Sequence, residues 1–478
     1  MKNDKNVTFL RKCLFIFKGL LKPEKHRYFN IEQEIIMNKK YILAGLFLTA
    51  GFYCFAQNNT SELKLTADQA VQIAFKNNVS VARQQITLEG AKRAKAHSWN
   101  SLSPSLSAGV TADVPLDFLT AGDQSSNYSS AIGINAAATI NFTANLYTAM
   151  EGAKISYEQS KISFEEALRT VEMNVRQTFY GLLYEKENIL LQEENLKIAR
   201  KQYENNQTKY NNGRLSEVDA ISAEVNYKSK IPVLENARTV YENDLDSFKQ
   251  LLGLAPEVSI ELDGSLEDML FLETVSVNPE EACSPVLKDL EIRLASARNT
   301  VLDRRLSAYA PNLSARLSWS DQSWYSGYDG EAPAAKKKSS ISLTATVPLD
   351  GVLPWSSKND GIDSAKDSVK DLELQLETER KNLKRNIASS LRSIKQSQES
   401  ILYKQANISL VQKSFDMTSE AYNRGTKDLL TLENANTTLM NARVSLNSEI
   451  LTLTKAILNL EYIMGLPFDT LVKKENNE

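Results

Sequence analysis

The chain has 478 residues, 42% of them apolar, with 56 basic and 59 acidic side chains, two histidines and three cysteines. That composition is enough to fold, and its slight acidity argues against nucleic acid as a partner. So few histidines and cysteines exclude the usual metal-finger and disulfide-rich classes.

Residues 1–36 read as an over-extended start or a long leader region, outside the fold. Met37-Asn-Lys-Lys40, the apolar run from Tyr41 to Phe55 and the small Ala56 then have the order of a secretory signal peptide over 37–56, cut before Gln57. The run is short for a bilayer span. Its removal takes away ten basic and four acidic residues, a net charge of about −9 remains, and Cys283 is then the last cysteine.

A first repeat is expected over 63–254. Thr66 and Gln69 form a capping box ahead of Ala70, Ala74 and Phe75, so a helix starts there and breaks near Asn77-Asn78. A second helix over 79–98 leads to Pro104, where the period changes from helical to alternating. Leu106, Ala108, Val110, Ala112 and Val114 face one way, and Ile132, Ile134, Ala136, Ala138, Ile140 and Phe142 repeat the pattern. Strands are therefore expected at about 103–115 and 130–143, joined by a polar loop over 116–130. The second repeat, 285–468, has strands at about 311–320 and 339–350, carrying Leu313, Ala315, Leu317 and Trp319, then Ile341, Leu343, Ala345 and Val347.

Each strand has the length of a tilted membrane-spanning strand, and Trp319, Trp324, Tyr325 and Tyr328 stand where an interfacial aromatic belt would lie. A soluble sandwich with one buried face fits the same alternation. Four strands cannot close a barrel, so a membrane reading requires several chains to share one.

Long helices follow. Leu168, Val175, Leu182, Ile189, Leu196, Tyr203 and Tyr210 recur every seven residues, as do Ile387, Ile394, Ile401, Ile408, Phe415 and Tyr422, so these helices pack as coiled coils. Each ends in a turn, at about 208–217 and 420–429, and another helix returns. Tyr210-Asn211 and Gly213 recur as Tyr422-Asn423 and Gly425, an offset of 212, so one unit is written twice. Pro232 should bend the first return helix. An acidic irregular segment, 255–284, joins the halves, and 469–478 reads as a polar tail.

Signal peptide, two helix–strand–strand–helix halves and a Tyr-x-x-Gly turn in each half together resemble the TolC family of outer-membrane efflux and secretion channels. The supporting residues are Leu65-Thr66 with Gln69-Ala70, the Pro104 and Pro311 strand starts, and Leu252-Gly-Leu254 with Met464-Gly-Leu466. The resemblance implies a mainly α protein with a membrane β-barrel. Long helical hairpins form an α-barrel in the periplasm, and a homotrimer pools four strands per chain into twelve. It implies a passive exit duct in the outer membrane, serving an efflux or type I secretion system with a periplasmic adaptor and an inner-membrane pump of the RND or ABC type. It places adaptor contacts at Asn212, Gly213, Arg214, Arg424, Gly425 and Thr426, and an entrance latch at Asp219, Tyr422 and Lys427. Lys427 stands where familiar members have arginine, so an ammonium replaces a planar fork. The acidic ring of those members falls on Thr431 and Asn434.

No phosphate loop, cysteine pair or histidine spacing for a metal occurs, so neither cofactor nor enzyme activity is expected. His97 reads as a surface or packing residue. The competing functional reading is structural: a periplasmic coiled-coil spacer or surface fibre.

Overall fold

The computed structural model describes residues 63–113, 130–266, 273–274, 284–326 and 336–473. The expected leader, the residues before it, Val114, the first strand loop as far as residue 129, Cys283 and Tyr328 lie outside them. Seven α-helices and eight strands follow in chain order among these residues. They are β1 (Leu63–Leu65), α1 (Ala67–Asn77), α2 (Val79–Ala96), β2 (Ser105–Asp113), β3 (Ser130–Phe142), α3 (Asn145–Asn211), α4 (Glu217–Leu252), β4 (Ile260–Leu262), β5 (Glu273–Thr274), α5 (Pro285–Tyr309), β6 (Asn312–Ser326), β7 (Lys336–Thr346), α6 (Ser357–Asn423), α7 (Leu429–Met464) and β8 (Val472–Lys473).

Local chemistry sets the helix ends. Thr66 Oγ1 accepts from the Gln69 amide at 3.4 Å while Gln69 Oε1 accepts from the Thr66 amide at 3.1 Å, which satisfies two amides that the first turn leaves unpaired. Asn78 ends α1 and caps α2, with its Oδ1 accepting from the Ser80 amide and its Nδ2 donating to the Leu251 carbonyl, both at 2.8 Å. One residue thus ties the first helix pair to the end of α4.

The long helices α3 and α6 have 67 residues each, and the return helices α4 and α7 have 36 each. At about 1.5 Å per residue the longer pair reach roughly 100 Å. Every bound in the second hairpin falls 212 positions after its counterpart, from Asn145 against Ser357 to Leu252 against Met464. Packing makes one layer four elements wide. Contacts run α4, α3, α7, α6 along the hairpins and α2, α3, α5, α6 nearer the strands, and the sheet continues as β2, β3, β6, β7. Asn145 and Thr148 of α3 both donate to Asp303 Oδ1 of α5 at 2.6 Å, pinning the strand end of that layer.

The apolar core lies midway, around Val175, Phe179, Leu182, Phe248, Leu252, Ile387, Ile394, Ile450, Leu453 and Ile457. There the chain ends are gathered in: β1 pairs with β4 in parallel and β5 with β8 antiparallel. The buried Arg176 binds Asp469 and Asp68 at 2.7 Å and Glu172 at 3.1 Å. Arg169 donates to the carbonyls of Glu461, Gly465 and Leu466 at the end of α7, and the Phe468 ring lies against both guanidiniums. Fully buried Glu461 accepts from the amides of Asp469 and Leu471. The segment read from sequence as a polar tail is therefore built into the fold as far as Lys473. Strand β6 also runs past the expected 320 to Ser326, because its backbone keeps pairing with β3 after the apolar alternation stops.

Gly213 and Gly253 share a left-handed φ of 70°, yet their surroundings differ. A Cβ on Gly213 meets nothing within 4 Å, whereas one on Gly253 would lie 2.6 Å from the Asn77 carbonyl oxygen. Gly213→Ala should cost about 1–2 kcal/mol for its φ alone. Gly253→Ala should cost a further ~1–3 kcal/mol for the forced backbone shift. Urea midpoints of the helical circular dichroism of the two variants check the order, and equal midpoints would contradict it.

Candidate functional site

Two faces of the sheet differ in chemistry. Register aligns Leu106, Ala138, Leu317 and Ile341 in one row across the four strands, with Leu313 opposite Ala345 and Ala315 opposite Leu343 on the same face. The alternate positions align Ser105, Thr139, Arg316 and Ser342 in one row, and Ser107, Ala137, Ser318 and Ser340 in another. Because side chains alternate along a strand, the first set makes an apolar face and the second a mostly polar one. The apolar face is not covered: Leu106 is 80% exposed and Ile341 77%. Away from the helices the same face turns charged, where Lys337 and Asp321 pair at 3.6 Å beyond Trp319.

At the far end of the helices, each hairpin closes on a left-handed glycine. The Gly213 amide donates to Tyr210 O at 2.8 Å and the Arg214 amide to Lys209 O at 2.8 Å; Gly425 and Thr426 repeat this to Tyr422 O and Ala421 O, both at 2.9 Å. Asn212, Gly213, Arg214, Arg424, Gly425 and Thr426 are all exposed. Arg424 pairs with Glu420. Return helices start on Ser216, whose Oγ accepts from the Asp219 amide, and on Asp428, whose Oδ1 accepts from the Thr431 amide at 2.9 Å. The hydrogen bonds from Thr431 hold the Asp428 carboxyl below the ordinary value.

Of the residues expected to form a latch, Asp219 and Tyr422 lie close to each other, and no hydrogen bond or ion pair joins Asp219, Tyr422 and Lys427 among the described residues. Tyr422 donates its hydroxyl to Asn206 Oδ1 at 2.6 Å, and Lys209 lies over its ring at 5.1 Å. Asp219 instead accepts from its own cap, Ser216, at 2.6 Å, although its charge, after burial, helps raise the Tyr422 phenol. Lys427 and Asn434 are exposed and Thr431 is half-buried.

Between the hairpins the interior turns polar toward the tips. Asn436 of α7 donates to Asn195 of α3 at 2.7 Å in a buried pair. Asn206 Nδ2, Asn436 Oδ1 and Glu433 Oε1 are buried with no hydrogen-bond partner among the described residues. Burial raises the Glu433 carboxyl and lowers the Lys230 ammonium, each opposed by the other's charge. Nearer the core, Glu185 of α3 and Asp244 of α4 line one polar cleft of about 380 Å³ with Lys455 of α7, Ser247 and Gln177, and Glu185 Oε2 is buried with no hydrogen-bond partner among the described residues. Burial, then Asp244, pushes the Glu185 carboxyl up to about 7.

None of Asn195, Asn206, Asn436 or Glu185 was singled out by the apolar heptads. Three positions on from each apolar residue of α3 come Val171, Thr178, Glu185, Gln192, Ala199 and Asn206, a second stripe with four polar members. That stripe is the signal for a polar seam.

A family model for outer membrane efflux proteins matches residues 70–254 and 280–466. The chain belongs to that family. Solved structures share the fold: CusC, described with transmembrane channel formation, at 13% identity and TM-score 0.69 over 84% of this chain and 92% of that one. The Campylobacter jejuni CmeC outer membrane channel aligns at 18% and 0.67 over 84% and 85%, and VceC of Vibrio cholerae at 15% and 0.67 over 84% and 97%. No curated protein matches the chain by sequence. The efflux family match spans both hairpins, one in each matched segment. No helix among the described residues is long and apolar enough to cross a membrane.

The raised Glu185 carboxyl makes the stability of this efflux-family chain depend on pH. The folded state holds the Glu185 proton up to about 7 while the unfolded chain releases it near the ordinary value of 4.5. Stability from that proton is therefore complete below the lower value and lost as the pH rises through the upper one. Between about pH 5 and 8 the wild type should lose on the order of 1 kcal/mol that Glu185→Gln does not lose, the small size reflecting solvent screening. Parallel thermal midpoints of the two proteins against pH would refute the raised Glu185 carboxyl.

Proposed function

We propose that the chain is one third of a homotrimeric exit duct in the outer membrane, exported by the signal peptide over 37–56. The observation that carries this reading is the two-faced sheet, apolar on an uncovered side and polar on the other. A soluble spacer would have to bury that apolar face, and lipid covers it without any further protein. Three copies would pool twelve strands, pairing the free edge of β2 with that of β7 in the next copy. Exposed apolar side chains on the two edge helices support the same closure, Val218 and Val225 on α4 and Tyr403, Leu410 and Met417 on α6. Such a trimer would continue the barrel into an α-helical tunnel across the periplasm, with the polar strand face lining the pore. The duplicated hairpins would then place six tips around the entrance.

In this reading Asn212, Gly213, Arg214, Arg424, Gly425 and Thr426 meet a periplasmic adaptor, and an inner-membrane pump of the RND or ABC type drives transport. Asp219, Tyr422, Lys427, Thr431 and Asn434 surround the entrance, with Asn206 as the hydrogen-bond partner of Tyr422. Opening repacks the polar seam, where amides already buried without full partners have little to lose. The duct itself needs neither cofactor nor catalysis.

The mass of the detergent-purified mature protein by light scattering, corrected for detergent, should be that of three chains. A monodisperse monomer would end the duct reading. In planar bilayers Tyr422→Phe and Asp219→Ala should each raise single-channel conductance, and unchanged conductance in both would remove them from the entrance.

A further inference from the structure

The segment between β7 and α6 carries five apolar side chains that the fold leaves outside. Val347, Leu349, Val352, Leu353 and Trp355 are exposed, Leu349 by 71% and Trp355 by 80%. This is not a loose loop. Gly351 is buried so closely that a Cβ would lie 2.7 Å from the Ala308 carbonyl oxygen and from the Tyr309 ring. Asn359 Nδ2 donates to the carbonyls of Gly351 and Leu353 at 2.9 and 2.8 Å, and Tyr309 donates its hydroxyl to Asn359 Oδ1 at 2.8 Å. The fold therefore spends polar contacts to hold an apolar projection outward.

Beneath the turn lies a cleft of about 400 Å³ lined by Arg305, Tyr309, Pro354, Asn359, Ile362, Asp363 and Lys366. Lys366 pairs with Asp363 at 2.7 Å, and Arg305 has no ion pair among the described residues. A guanidinium without an ion pair and the apolar projection are thus adjacent.

We infer that turn 347–356 and this cleft form a phospholipid site. The apolar side chains enter the periplasmic leaflet beside the barrel, and Arg305 takes the headgroup phosphate. The inference rests on the membrane reading of the strands, which it deepens. Three observations favour lipid over protein as the occupant. Val347 and Leu349 prolong the outward apolar row of Ile341, Leu343 and Ala345 by the same two-residue step. Trp99, Tyr147 and Tyr309 are also exposed at helix–strand junctions, so this end of the sheet carries the aromatic side chains that settle at a lipid–water boundary. The chain has four tryptophans, with Trp99 and Trp355 at this end of the apolar face and Trp319 and Trp324 on the outer half of β6. A guanidinium near the boundary suits a phosphate, which it binds by parallel hydrogen bonds.

The test uses single-tryptophan variants in vesicles of phosphatidylethanolamine and phosphatidylglycerol, with bromine near the glycerol end of the acyl chains. With Trp99→Phe, Trp319→Phe and Trp324→Phe, the remaining Trp355 should lose about half of its emission, as an interfacial indole in contact with lipid does. A companion keeping only Trp319 reports the barrel. If Trp319 is quenched and Trp355 is not, lipid does not cover the turn, a second copy or another protein does, and the inference fails while the duct reading stands. If neither is quenched, the membrane reading itself fails. Native mass spectrometry of Arg305→Gln in the otherwise unaltered chain reads the headgroup. It should retain about fivefold less phosphatidylglycerol than the wild type, and equal retention would overturn the assignment of the cleft.

Discussion

Every element of this chain depends on an edge being closed. Strands β2 and β7 each pair on one side among the described residues, and the other side of each presents a row of backbone donors and acceptors. Helices α4 and α6 stand at the corresponding edges of the helical layer, with apolar side chains turned outward. A layer four elements wide, open at both edges along its length, is half a solution to burying polar backbone and apolar side chains. In the proposed trimer one operation closes sheet and helices together, since the same neighbour lies along both. This is why the order of elements across the layer is preserved from the strands to the tips.

Within the layer, stability is distributed unevenly. Midway along, Val175, Phe179, Leu182, Phe248, Ile387 and Ile394 make an apolar core, and Arg169, Arg176 and Glu461 tie both chain ends to it. Toward the tips, Asn195 with Asn436 and Asn206 with Tyr422 replace apolar pairs. A buried amide with one group unpartnered gains little over the same amide in water, so shifting the helices there costs less than shifting them at the core. The hairpins are therefore built with a firmly packed middle and more loosely paired ends, as the proposed opening at the tips requires.

The long helices were legible because seven-residue spacing of apolar residues from Leu168 to Tyr210 and from Ile387 to Tyr422 is a strong, repeated signal. The alternation of Leu313, Ala315, Leu317 and Trp319 was legible for the same reason, but where it stops the backbone pairing does not, so β6 outlasts its pattern. Short strands such as β1 and β5 give no period at all; only the partner decides them. Arg176 looked like one charge on a helix among many, because its three carboxylates come from 4, 108 and 293 positions away. The polar seam was present in the heptads but hidden behind the apolar stripe that flanks it. Asn206 was out of reach as the partner of Tyr422, since 216 positions separate them and Asp219 fits the phenol equally well on paper.

The glycines separate folding constraints from contact surfaces. Gly253 has two reasons to be glycine: a left-handed φ, and an Asn77 carbonyl that leaves no room for a side chain. Gly213 and Gly425 have the first reason only, and open space surrounds them. Asparagine tolerates the same φ and could serve in an exposed turn that had only to close. Glycine at both tips leaves the backbone bare at the most projecting points of the hairpins, with Arg214 and Thr426 beside it. A flat, unobstructed turn flanked by polar side chains can be approached closely, which is compatible with the adaptor contact proposed for the tips.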